Sequence, residues 1–89
     1  MHSDENAYCR VCGYEPADAP WGADGTEPSW EICPCCGVEF GYEDASAAGV
    51  RKYRERWVAA GAPWSDPTTP LDDLELNERL ARISPRYLG

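Results

Sequence analysis

The chain has 89 residues, with 16 acidic and 8 basic side chains and a formal charge of −8. A chain this short builds one small domain whose core barely offsets the entropy of ordering, so a metal or disulfide staple is expected. The charge argues against duplex nucleic acid and anionic membrane as partners, and no apolar run approaches the length of a membrane span.

The first six residues, Met1 to Asn6, are polar and acidic, with no apolar stretch behind them of the kind a secretory signal carries. The expectation is a cytoplasmic protein with reduced thiols, its residues 1–6 forming a disordered end. In such a compartment five cysteines, an odd number, favour metal binding over disulfides.

Ala7-Tyr8 reads as a short strand entering the turn Cys9-Arg10-Val11-Cys12-Gly13. Residues 15–29 hold Pro16, Pro20, Gly22, Gly25 and Pro28 and read as a loop. Trp30-Glu31-Ile32 alternates apolar and polar residues and leads into Cys33-Pro34-Cys35-Cys36-Gly37. Beyond that turn Val38, Phe40 and Tyr42 recur at period two, the signature of a half-buried strand. Residues 7–43 are thus expected to form the front module and residues 44–89 a helical part of the same domain.

Asp44 or Ser46 can cap a helix running to about Ala60, with Gly61 as its stop and Pro63 beyond. At helical spacing Ala47, Val50, Tyr53, Trp57, Val58 and Ala60 share one face. Arg51, Lys52, Glu55 and Arg56 lie opposite, a basic run whose plainest reading is a solvated face. Arg54 falls in the apolar arc. It either snorkels at the core edge or pairs with Glu39, Glu43 or Asp44. After a Pro-rich connector, Thr69-Pro70-Leu71-Asp72 has the form of a capped helix start, and that helix is expected to reach Ile83 and end before Pro85. Its leucines form no single stripe: Leu71 and Leu74 face one way, Leu76, Leu80 and Ile83 another. Trp30 and Trp57 fall on inner faces, while Trp21 and Trp64, in Pro-flanked loops, either fold back as lids or anchor a partner.

Two Cys-x-x-Cys-Gly units, with twenty residues between Cys12 and Cys33, carry the chemistry. Four thiolates so spaced can close a tetrahedral site, and the candidate ligands are Cys9, Cys12, Cys33 and Cys36. Cys35 falls inside the second turn and reads as a passenger, or as a reactive thiol if exposed. Bound metal would take the total charge to about −10. Cys₄ sites accept zinc and iron alike. A closed Cys₄ site leaves no open coordination position, His2 stands alone, and no phosphate loop or carboxylate pair is visible, so no enzyme activity is expected.

Tyr8-Cys9-x-x-Cys12-Gly13-Tyr14 and Cys33-Pro34-Cys35-Cys36-Gly37 resemble the paired knuckles of rubredoxin, although this chain continues for some fifty residues beyond them. The segments Glu31 to Gly37 and Glu39 to Asp44, with Tyr53-Arg54-x-x-Trp57-x-x-x-Gly61-x-x-Trp64, resemble the small bacterial cysteine-rich CPCC proteins and their zinc-ribbon relatives. That resemblance spans residues 8–64 and implies a zinc-binding ribbon with a packed helix. The expected architecture is therefore α+β, a zinc-ribbon or rubredoxin-like Cys₄ module with two C-terminal helices. The expected function is a structural zinc site in a module that binds another protein. The alternatives are an iron electron carrier and a thiol or metal-handling protein using Cys35.

Overall fold

A computed structural model describes residues 5–88. The expected disorder of residues 1–6 therefore falls mostly outside the described residues, and within them Glu5–Ala7 form a single 3₁₀ turn where a strand was expected to begin. Three helices follow: α1, Ala47–Ala59; α2, Leu76–Leu80; and α3, Pro85–Leu88.

The α+β expectation is corrected. Among the described residues there is no β-strand and no sheet, and pairing is confined to one antiparallel bridge between Ile32 and Glu39. The cause lies just outside that bridge. Trp30 has a φ of 64° and Gly41 a φ of 103°, so both chains leave the extended region two residues beyond it. Inside the bridge the Cys33–Gly37 turn takes over, with Cys33 N–H donating to Val38 C=O at 2.9 Å. A ladder needs extended backbone on both sides, and here it has room for one rung.

The helix read from Ser46 is present. The Ser46 hydroxyl accepts the Gly49 N–H at 3.0 Å. At the other end Gly61 N–H donates to Val58 C=O and Ala62 N–H to Trp57 C=O, the pairing of a Schellman stop. The apolar face is narrower than its pattern suggests. Val50 and Trp57 are buried, Tyr53 is half-buried, and Val58 and Ala60 are exposed.

The long second helix is absent. Residues 69–75 are irregular: the Asp72 carboxylate accepts the Arg79 guanidinium at 3.1 Å and the Leu74 N–H at 3.3 Å, a side-chain turn in place of a helical one. Arg79 also donates to Leu74 C=O. Helix α2 begins only where the Glu78 carboxylate accepts the Glu75 N–H at 2.8 Å. Pro85, expected to end a helix, opens α3, where its missing N–H costs nothing. The divided leucine stripe corresponds to this break.

The core is built on the cysteines. Cys9, Cys12, Cys33, Cys35 and Cys36 are buried together with Val11, Val38, Phe40, Val50 and Trp57. Trp21 and Trp64 fold back, half-buried: Trp21 donates to the Asp44 carboxylate at 2.8 Å, and Trp64 donates to Thr69 C=O and packs edge-on against Tyr14. Trp30 reverses its expected place. It is 60% exposed, its ring lying across Gly41, where a methyl group would meet it at 2.7 Å. Tyr42, expected with Val38 and Phe40 on the inner face of a half-buried strand, is 70% exposed.

Arg54 neither snorkels nor pairs with an acid. Its guanidinium donates to Val11 C=O at 2.7 Å, Arg10 C=O at 2.9 Å and Tyr87 C=O at 2.6 Å, joining α1 to the first cysteine turn and to α3. Charge-assisted bonds of this kind contribute about 1.5–3 kcal/mol each when the acceptors are otherwise shut off from water. Arg54→Met is expected to lower the unfolding free energy by about 2–4 kcal/mol. Lys52→Met on the exposed face should change it by less than about 0.5 kcal/mol. Urea unfolding of the two variants beside the parent protein checks the contrast.

Candidate metal centre

Each cysteine pair sits on the same turn. In the first, Cys9 N–H donates to Tyr14 C=O at 2.8 Å and Gly13 N–H to Cys9 C=O at 2.9 Å. In the second, Cys33 N–H donates to Val38 C=O and Gly37 N–H to Cys33 C=O, both at 2.9 Å. The repeated Cys-x-x-Cys-Gly spacing is thus a repeated backbone geometry that turns two sulfurs to one side. Gly13 shows why glycine follows the second cysteine. Its φ is 82°, and a Cβ there would collide with the Arg79 carbonyl.

The sulfurs of Cys9, Cys12, Cys33 and Cys36 lie within 4.8 Å of one another, and all four residues are buried. Cys9 Sγ is 3.8 Å from Cys36 Sγ and Cys12 Sγ is 3.6 Å from Cys33 Sγ, so each short contact joins the two turns. All five cysteines are free thiols, and these separations far exceed the about 2.05 Å of a disulfide. Metal–thiolate bonds of about 2.3 Å put tetrahedral sulfurs about 3.8 Å apart, so the cluster could hold a metal ion.

The electrostatics of the bare cluster point the same way. Burial pushes the Cys12 and Cys36 thiols well above their ordinary value. Hydrogen bonds from the Cys12, Cys36 and Cys9 thiols hold Cys33 far below it, with the Cys36 backbone N–H adding to the effect. One thiolate is stabilised by its neighbours, and further ionisation is opposed by desolvation and like charge. A cation at the centre removes both objections.

The carbonyls around the cluster are taken by the helical half. Arg54 holds those of Arg10 and Val11, and Arg82 donates twice to Gly13 C=O at 2.6 and 3.0 Å. In the second turn the Tyr53 hydroxyl donates to Cys36 C=O at 2.9 Å. Ser65 N–H reaches the Pro34 and Cys35 carbonyls, and Asp66 N–H reaches Pro34 C=O again. Burial pushes the Tyr53 phenol up to about 12, with negative charge in the cysteine cluster adding to it, so the donor proton stays in place. Sequence reasoning missed Arg82 and Tyr53. An arginine in a short C-terminal segment carries no signal for a partner 69 positions away. Tyr53 was legible only as an apolar helix residue.

Cys35 stands outside the four-sulfur group and is 1% exposed. Its burial removes the exposure that a reactive thiol requires.

No family model matches the chain, and no solved structure matches it. Among curated proteins it is similar to two uncharacterized proteins of Bacillus subtilis. It is 31% identical to YozI over 75 residues, covering 66% of this chain and 62% of that protein. It is 29% identical to YoaQ over 82 residues, covering 75% and 70% respectively. The chain therefore spans less than two thirds of the length of YozI.

Cys36→Ala is expected to abolish stoichiometric metal uptake, whereas Cys35→Ala keeps it and costs about 1–2 kcal/mol of packing. Metal analysis of desalted protein, with titration of accessible thiols, checks both. Metal retained by the Cys36 variant and lost by the Cys35 variant would reverse the assignment.

Proposed function

We propose that Cys9, Cys12, Cys33 and Cys36 hold one zinc ion, that the ion is structural, and that the module it stabilises binds another protein. The observation that carries this reading is the set of four buried sulfurs within 4.8 Å, drawn equally from two matching turns. Zinc prefers four thiolates in a closed tetrahedral site, and such a site has no position left for a substrate. Structural zinc contributes about 10–16 kcal/mol of apparent binding energy. That is comparable to the whole net stability of a small domain, about 5–15 kcal/mol. With no sheet to organise residues 7–43, the metal is what fixes the two turns against each other.

The resemblance of residues 8–64 to the CPCC proteins supports a zinc role, and the burial of all four sulfurs suits a structural one. Binding to a protein is supported by Trp30, Ile32 and Tyr42, three large apolar side chains left at the surface of so small a domain. No helix among the described residues is long and apolar enough to cross a membrane.

Protein purified from metal-supplemented cells is expected to carry one zinc per chain and no colour. A chelator should abolish the cooperative unfolding transition, and added zinc should restore it. A red protein holding one iron per chain would instead establish the electron carrier.

Acid should release the metal. A free thiol ordinarily ionises near about 8.5. Binding the metal depresses the folded-state value, so the stabilisation is complete above the unfolded value and is lost as pH falls through the depressed one. Apparent zinc affinity should drop at least about tenfold per unit of pH below about 8.5, as at least one proton competes with each ion bound. Competition against a chromophoric chelator across pH measures it. An affinity that rises on acidification would exclude thiolate ligation.

A further inference from the structure

The surface beside the second cysteine turn is apolar at its centre and acidic at its edge. The Ile32–Glu39 bridge fixes the geometry. Cys33 and Val38 point inward, so Ile32 and Glu39 point outward, with Ile32 65% exposed. Two residues back along the same chain Trp30 lies across Gly41, and Tyr42 follows that glycine at the surface. From Glu27 to Asp44 the sequence has five acidic residues and no basic one.

Next to Ile32 a shallow cavity of about 240 Å³ opens between the hairpin and two loops. Tyr14, Pro16, Ile32 and Phe40 line it, and Glu31 and Asp66 bring carboxylates to it. Asp66 is held ionised: the Thr68 hydroxyl and N–H and the Thr69 hydroxyl donate to it and keep its carboxyl below the usual range. Arg79, above the Trp64 ring that meets Tyr14, is already committed to Asp72 and Leu74 C=O. The cavity has room for one long side chain, with apolar walls for a methylene stem and two anions for a cationic head.

We propose that this face binds a basic, partly apolar segment of a partner protein, with one lysine or arginine side chain seated in the cavity between Glu31 and Asp66. An apolar neighbour in that segment covers Ile32, and further cations lie over the Trp30 and Tyr42 rings. Charge selects the occupant. A chain of charge −8 repels a second copy of itself and repels nucleic acid, and the carboxylates at the cavity would be left uncompensated by an acidic or neutral segment. The inference rests on the reading of the chain as a metal-stabilised interaction module and names the chemistry of its partner.

The test uses metal-loaded protein and a fluorescein-labelled peptide that alternates arginine with leucine, against the same peptide with glutamate in place of arginine. Fluorescence anisotropy is expected to show at least about tenfold tighter binding of the basic peptide, weakening as salt is raised from about 0.05 to 0.5 M. Ile32→Ser and Glu31→Gln, both on exposed side chains, should each weaken binding at least about threefold while metal content and urea midpoint stay unchanged. Equal binding by Ile32→Ser, or preference for the acidic peptide, would overturn the proposal. So would concentration-dependent self-association abolished by Ile32→Ser, which would make a second copy the occupant. Metal content of the same samples separates the two readings. Basic-peptide binding by protein that holds no metal defeats the zinc reading and leaves this one, whereas full metal content with preference for the acidic peptide does the reverse.

Discussion

Four sulfur atoms gathered from two distant turns are the constraint on which the rest of this molecule depends. Turns that direct side chains to one point leave carbonyl groups around the outside. In a sheet protein neighbouring strands would accept that burden, but here the backbone on either side of the single bridge is bent out of register by Trp30 and Gly41. The carbonyls must find donors elsewhere, since a buried polar group without a partner costs about 1–3 kcal/mol. The helical half supplies them: Arg54 and Arg82 to the first turn, Tyr53 and the N–H groups of Ser65 and Asp66 to the second. The C-terminal part therefore completes the cysteine module as much as it packs on it.

This division of labour explains the unusual use of positive charge. Arg10, Arg54, Arg79 and Arg82 all donate to backbone carbonyls, and Arg10 is also clasped between the Trp21 and Tyr87 rings at 4.0 and 4.7 Å. Arginine suits this work better than lysine because its planar fork can serve two or three acceptors at once without losing its charge. Burial lowers the basicity of Arg54, and negative charge in the cysteine cluster acts against that loss. Cations drawn inward in this way leave the outer surface more acidic than composition alone conveys.

The cysteine spacing made the site legible, because Cys-x-x-Cys-Gly encodes a local turn that needs no distant partner. The helix Ala47–Ala59 was legible for the same reason: Ser46 and Gly61 are local start and stop signals. What failed depended on distant partners. Asp72 looks like part of a helix start until Arg79, seven residues on, claims it. Trp30 looks internal by alternation, but alternation holds only while the backbone stays extended, and Trp30 itself leaves that region. Arg54 was recognised as out of place, yet the acids considered as its partners were the wrong class of acceptor. Backbone carbonyls have no sequence signature.

The same geometry decides which part of the surface is left uncovered. The helices and the connector cover the carbonyl side of both turns, and Trp21 and Trp64 are drawn in by Asp44 and Thr69. Asp44, fully buried, accepts both the Trp21 indole N–H and the Gly41 N–H. It therefore fixes one tryptophan inside and, through Gly41, sets the loop on which Trp30 rests outside. The outer face of the Ile32–Glu39 hairpin is left without a covering element, and its exposed rings flank a turn whose carbonyls are held by Tyr53, Ser65 and Asp66. In the proposed interaction, apolar side chains already fixed in place would lose little entropy on contact, which offsets the small area they offer.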